Sequence, residues 1–203
     1  SALGDDEVAG LKKAIGIDPE VTFDYASPVA EQTRKIAAER GKELRGAWEE
    51  KFAAWRAGNA EAAALLDRLV AHELPAGWTD ALPTFPADKP IATRAASGNV
   101  LTALADALPE LWGGSADLAG SNNTTMKGEP SFLPENRVTK DWPGNPFGRT
   151  LHFGIREHAM GGIVNGINLS GLTRAYGGTF LVFSDYMRPA VRLASLMKLD
   201  SIF

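Results

Sequence analysis

The stretch Thr150–Thr179, TLHFGIREHAMGGIVNGINLSGLTRAYGGT, decides the fold. Thr150–Phe153 reads as a short strand, about Arg156 to Leu169 as a helix, and Leu172–Thr179 as a second strand. Strands alternating with helices build a parallel sheet, because parallel neighbours need a crossover between them. At the first junction Arg156, Glu157 and His158 stand side by side, just ahead of small residues in an apolar segment. A purely structural helix would turn such charges to its wet face. Here they stand where the chain enters burial.

The pattern continues on both sides. Ala95–Leu108 reads as an amphipathic helix and Leu111–Gly114 as a short strand, followed by a polar loop from Ala116 to about Arg149, rich in Gly, Pro, Asn and Ser. Downstream, one helix is expected from about Phe180 to Leu199, and Ser201–Phe203 would begin another strand. Upstream, Leu74–Arg94 carries Pro75, Pro83, Pro86 and Pro90, which interrupt helices and ladders. That segment reads as a linker or a chain wrapping over a surface, with a domain boundary near residue 90. Before it come a loop with a short helix within Ser1–Asp24, a long charged helix from Pro28 to about Gly58, and a helix over Ala60–His72. Asp5, Asp6 and Glu7 favour the first helix N-terminus, while Val8, Leu11 and Ile15 keep helical spacing. The fold class expected is α/β, a parallel sheet flanked by helices and preceded by a helical extension and a linker.

Composition narrows the function. Of 203 residues, 44% are hydrophobic and 23% charged, which is enough for a core. A net charge of -4, with no basic run interleaved with aromatics, argues against a nucleic-acid surface. Without cysteine there is no disulfide framework or thiolate metal site. His72, His152 and His158 are too scattered for a zinc site. No apolar run reaches the roughly 18–20 residues of a membrane span, and SALGDDEVAG has no signal-peptide pattern. A cytoplasmic protein is expected.

Three places could carry chemistry. In a first helical turn Glu157 gains about 0.3–1 kcal/mol from the helix dipole, which suffices as a structural reason. Gly161, Gly162 and Gly166 follow it, and each costs helix stability by about 1 kcal/mol relative to alanine. Their presence suggests close approach by another helix, plausibly of a second subunit, which would desolvate Glu157. Next, Phe180, Phe183 and Tyr186 recur every third residue and would cover an arc of about 120° on an α-helix. They suit core packing or a wall stacking on a flat heterocycle. Arg188 and Arg192, at i,i+4, suit surface ion pairs. Finally, GGSADLAGSNNT, Gly113–Thr124, follows a strand, and ligands of α/β sheets gather at strand carboxyl ends. It contains no GxxxxGK[ST] and no GxGxxG.

Taken in order, GGSADLAGSN, FGIREHAMGGIVNGI and GGTFLVFSDYMRPAVRLASLMK resemble the transketolases, a family of thiamine-diphosphate enzymes. SALGDDEVAGLKKAIG is similar to the tail of that family's diphosphate-binding domain, so the resemblance covers essentially the whole chain. It implies an incomplete thiamine-diphosphate-binding fold: residues 1–73 a C-terminal helical tail of the diphosphate-binding domain, 74–93 a proline-rich linker, and 94–203 a truncated pyrimidine-binding domain. The implied activity is transfer of a two-carbon ketol unit from a ketose phosphate to an aldose phosphate, in the pentose phosphate pathway. Glu157 matches the glutamate that shares a proton with N1′ of the aminopyrimidine and so favours its 4′-imino form. Phe183 matches the main stacking residue, with Phe180 and Tyr186 completing the aromatic wall. Asp117 matches an aspartate near the cofactor that faces the opposite subunit. Arg94 and Ser121 match contacts to substrate phosphate. His158 matches no catalytic role and suits core or interface packing.

The resemblance also implies a homodimer with shared active sites, and a magnesium or calcium ion whose ligands lie outside this segment. The family's GDG motif with its following asparagine is absent, so the chain reads as a fragment covering the middle third of a transketolase. Two other readings compete: a sister enzyme such as deoxyxylulose-phosphate or dihydroxyacetone synthase, and a non-catalytic dimerisation module. IREHAMG together with SADLAGSN favours the transketolase branch over its sisters.

Overall fold

The computed structural model describes residues 2–23 and 27–203. Two compact units form, Ser1–Ala60 and Glu61–Phe203. In the first, α1 spans Asp5–Ala14 and α2 Ser27–Gly58. Asp5, Asp6 and Glu7 occupy the first turn of α1 and Lys12 and Lys13 its last, which matches the helix dipole at both ends. Lys12 Nζ then donates to Pro19 O at 3.1 Å and Val21 O at 2.7 Å, folding the following loop back. Both helices form where the periodicity expects them; Ser1 and Asp24, the ends of the first expected segment, lie outside the described residues. On α2, Trp48, Phe52 and Trp55 stack with ring centroids 4.6 and 5.7 Å apart.

The second unit is built on a five-stranded parallel sheet. Helix α3 (Ala60–Val70) and a 3-10 turn at Trp78–Ala81 precede α4 (Thr93–Ala107). Then follow β1 (Leu111–Ser115), the short α5 (Ala119–Asn122), β2 (Ser131–Phe132), β3 (Gly144–Asn145) and β4 (Thr150–His152). Helix α6 (Glu157–Ser170), β5 (Arg174–Gly178), a 3-10 helix at Leu181–Met187 and α7 (Arg188–Met197) complete it. The strand order is β3-β2-β4-β1-β5. Leu111 to Ser115 stand opposite Arg174 to Gly178, and Gly113 to Ser115 opposite Thr150 to His152.

Side-chain alternation divides the core between the sheet's two faces. On one face Leu151 and Ala175 of the strands pack with Met160 and Val164 of α6 and with Met187. On the other Leu111 and Tyr176 meet Ala105 and Leu108 of α4, with Trp78 of the proline-rich segment against them. Gly113 in the centre of β1 makes room for the Tyr176 ring, whose hydroxyl donates to Thr124 O at 2.6 Å. Burial pushes the Tyr176 phenol well above its ordinary pKa. Arg149 ties α4 to the strands by donating to Ala105 O at 2.9 Å and Leu108 O at 3.0 Å, with Glu129 as its counterion.

At the amino edge of the sheet Glu110 precedes β1 with its side chain 1% exposed. Arg68 of α3 meets it with two hydrogen bonds, 2.7 and 2.9 Å, and Arg174 Nε lies 3.9 Å away. Burial pushes the Glu110 carboxyl up, but the Arg68 hydrogen bond and the two positive charges more than offset this and hold it below the usual range.

Two expectations are corrected. The polar loop Ala116–Arg149 contains α5 and two strand segments, β2 and β3, which extend the sheet. Two residues are too few to show a period of two. The single helix expected from Phe180 to Leu199 is instead a 3-10 helix followed by α7. The close approach at Gly161 is made within the chain: a Cβ there would stand 2.7 Å from Ala190 Cβ of α7. Gly162 and Gly166 face open space. Ser201–Phe203 contributes one parallel bridge, Ile202 to Tyr176, beyond β5.

Candidate active site

Parallel strands bring their carboxyl ends to one edge, and β4, β1 and β5 are neighbours. The three motifs leave the sheet there. From β4, Gly154 turns the chain with φ 66°, a conformation glycine adopts without cost. Arg156 folds back, its backbone N–H donating to Gly154 O at 2.8 Å and its guanidinium to Phe153 O at 3.1 Å. Glu157 is the first residue of α6, and the buried residues of that helix are Glu157, Met160, Gly161, Val164 and Asn165. This i, i+3, i+4, i+7, i+8 stripe carries the carboxylate into the protein. Of the charged triplet only Glu157 is buried; Arg156 and His158 are exposed.

From β1 the chain passes through Ala116 to Asp117, which takes a left-handed conformation with φ 62°. Aspartate tolerates this better than most residues. From β5 it passes through Thr179 and Phe180 into the 3-10 helix. At three residues per turn, positions three apart fall in line along that helix, not across an arc. Phe180, Phe183 and Tyr186 therefore form a ladder, with ring centroids 6.1 and 6.0 Å apart and planes inclined by 18° and 30°.

These segments enclose a cavity of about 450 Å³ lined by Asp117, Leu118, Ile155, Glu157, Phe183 and Tyr186, with Ala116 at its floor. Glu157 is 9% exposed, and among the described residues its carboxylate has no hydrogen bond or ion pair. Its oxygens open onto the cavity and are free to meet a donor there. A second cavity, of about 620 Å³, is lined by Arg94, Ser97, Asn122, Thr124, Thr179 and Phe180 among others. Arg94 lies in the first turn of α4, exposed and without an ion pair among the described residues. The Thr179 hydroxyl is buried with no partner.

The structure thus brings Asp117, Glu157, Phe183 and Tyr186 around one cavity and Arg94 and Phe180 around another. Ser121 is exposed on α5 and lines neither. Arg188 lies 3.8 Å from exposed Asp185, a surface pair. Sequence reasoning missed the apolar walls Leu118 and Ile155 and the polar groups Asn122, Thr124 and Thr179. Each lies within a quoted motif, but only the sheet's geometry brings it to a cavity. Among the described residues no three His, Asp or Glu side chains converge as metal ligands.

A parallel α/β sheet with a buried carboxylate and an aromatic ladder at its carboxyl edge defines a cofactor-binding domain. Residues 89–203 match the transketolase pyrimidine-binding domain, and residues 1–75 the transketolase thiamine-diphosphate-binding domain. The chain belongs to the transketolase family. It is 59% identical to transketolase of Mycobacterium tuberculosis over 100% of this chain and 29% of that protein. Against transketolase of Geobacillus stearothermophilus the figures are 42%, 99% and 29%. A crystal structure of a mutant Pichia stipitis transketolase in complex with xylulose 5-phosphate superposes with TM-score 0.81 at 39% identity, covering 98% of this chain and 29% of that one. Leishmania mexicana transketolase gives TM-score 0.79 at 35% identity, with 98% and 28% covered. The chain therefore spans about 29% of the length of the relatives it matches.

Proposed function

We propose that this segment serves a transketolase that moves a two-carbon ketol unit between sugar phosphates of the pentose phosphate pathway, with thiamine diphosphate as cofactor. One observation carries the reading: Glu157, 9% exposed and without a hydrogen bond or ion pair among the described residues, turns its carboxylate to a cavity walled by Phe183 and Tyr186. That donor set fits a flat heterocycle with a basic ring nitrogen. When bound, thiamine diphosphate supplies the carbon centre to which the two-carbon unit is attached and from which it is released.

The chain's own residues have separate tasks in this proposal. Phe183, with Phe180 and Tyr186 extending the ladder, stacks on the pyrimidine and keeps water from it. Glu157 shares a proton with the ring nitrogen and sets its protonation. Asp117 borders the cofactor from the β1 side. Arg94 forks onto the substrate phosphate and Ser121 adds a hydroxyl hydrogen bond. No helix of the described residues is long and apolar enough to cross a membrane. The proposal places the enzyme in the cytoplasm.

Exposed apolar side chains at the two cavities suggest what closes them. Ile155 on the first and Leu181 on the second are 79% and 87% exposed, and Val182, beside Leu181, is 71% exposed, apolar surface of the kind that marks an interface. A second subunit fits there, giving a homodimer with shared sites. The open Gly162 and Gly166 leave α6 able to take a close neighbour. Magnesium or calcium and the diphosphate would be held by residues outside this segment.

The test is an assay of the full-length protein with xylulose 5-phosphate and ribose 5-phosphate, with and without thiamine diphosphate. Cofactor-dependent ketol transfer is expected. Turnover only with pyruvate or only with formaldehyde would move the protein to a sister enzyme, and no turnover with any pair would leave the dimerisation module.

A further inference from the structure

Ser115, the last residue of β1, is 4% exposed and lines neither cavity, yet its hydroxyl makes every hydrogen bond open to it. Ser115 Oγ donates to Gly178 O at 3.0 Å. It accepts from the Leu118 backbone N–H at 3.0 Å and from Asn122 Nδ2 at 3.1 Å. One donor and two lone pairs exhaust the capacity of a serine hydroxyl.

The partners belong to the segments that line both cavities. The Leu118 bond closes the turn around Asp117 and holds its left-handed backbone, a conformation that persists only where its surroundings determine it. The Asn122 bond anchors the end of α5. Thr124 Oγ1 donates to Asn122 Oδ1 at 2.8 Å, which fixes the amide's orientation. The Gly178 bond fixes the last carbonyl of β5, immediately before Thr179 and the aromatic ladder. The Ala116 N–H donates to the same carbonyl at 3.1 Å.

We infer that Ser115 is a positioning residue for the reaction: its hydroxyl holds the Asp117–Asn122 segment against the end of β5, so that Asp117 meets the cofactor and Asn122 keeps the shape of the phosphate cleft. The inference rests on the cavity assignments proposed above. Ser115 touches no ligand; it acts through Asp117 and Asn122. Its loss leaves a backbone N–H and an amide without their partner in a buried place, and the turn relaxes to find others.

In the full-length enzyme, Ser115→Ala should weaken thiamine-diphosphate affinity about tenfold and raise KM for sugar phosphate, while kcat at saturation stays within about twofold. If Ser115 acts through Asp117, the Ser115→Ala/Asp117→Ala double variant should bind cofactor no more weakly than Asp117→Ala alone. Additive losses, or unchanged constants in Ser115→Ala beside a weakened Asp117→Ala, would overturn the inference alone. Unchanged cofactor affinity in Asp117→Ala would overturn the cavity assignment and the inference with it. Should Ser115→Ala not fold, Asn122→Ala removes one of the same bonds and should shift both constants about threefold in the same direction. Constants equal to wild type in that variant would overturn the inference.

Discussion

Glu110 and Glu157 stand at opposite edges of one sheet, 5% and 9% exposed, and differ in everything around them. Glu110 accepts two hydrogen bonds from Arg68 and has Arg174 nearby. Among the described residues Glu157 has no hydrogen bond or ion pair, and it faces a cavity. A buried charge must be paired or it destabilises the protein, so Arg68 fastens α3 to the sheet through the first carboxylate, whereas the oxygens of the second open onto the cavity. The same contrast runs through their surroundings. The amino edge of β1 closes on ion pairs, whereas the carboxyl edge carries Asp117 in a left-handed conformation and the unpartnered Thr179 hydroxyl.

The sharpest way to break the amino edge is Arg68→Ala. It strands a buried carboxylate with Arg174 as its remaining cation and should cost about 3–5 kcal/mol, read from the shift of the denaturant midpoint. The folded variant should keep wild-type KM values. A midpoint equal to wild type would show that Glu110 does not need its partner.

At the other edge, Arg94→Ala should raise KM for phosphorylated sugars about tenfold or more, as expected for a lost charged hydrogen bond, and leave thiamine-diphosphate affinity unaltered. Equal losses for phosphorylated and unphosphorylated acceptors would contradict the assignment.

The smallest effect comes from His152, the last residue of β4. Burial pushes the His152 imidazole below its ordinary value; its Nε2 lies 2.8 Å from Ser131 Oγ and its ring packs edge-on against Trp142. Since the folded state resists protonation, this contribution to stability is whole above about pH 6.5 and is lost as pH falls through the lowered folded value. His152→Gln should flatten the acid limb of stability only slightly, because the residue is also exposed to water, which screens its charge. An unchanged slope between pH 7 and pH 5 would remove His152 from it.

Much of the carboxyl edge was legible in the sequence because its chemistry sits in local motifs. The β4–α6–β5 unit follows from hydrophobic spacing, and the resemblance picked out Asp117, Glu157, Phe183 and Tyr186, which the fold gathers around one cavity. The amino edge was not legible, since Arg68 and Glu110 stand 42 residues apart and neither belongs to a motif. The 3-10 helix escaped for a different reason: spacing of three reads as a broad face on an α-helix and as a line at three residues per turn. Ser115 looked like one small residue among several in GGSADLAGSN, and only the return of β5 alongside β1 gives its hydroxyl three partners.

The contrast between the two carboxylates is tested most directly by Glu157→Gln in the full-length enzyme, with turnover and unfolding temperature measured on the same preparation. The account expects turnover to fall about 10²–10⁴-fold. The unfolding temperature of the cofactor-free protein should hold, because among the described residues the Glu157 side chain has no hydrogen bond or ion pair to lose. Wild-type turnover together with a loss of stability like that of Arg68→Ala would contradict it, and would make Glu157 a second structural carboxylate.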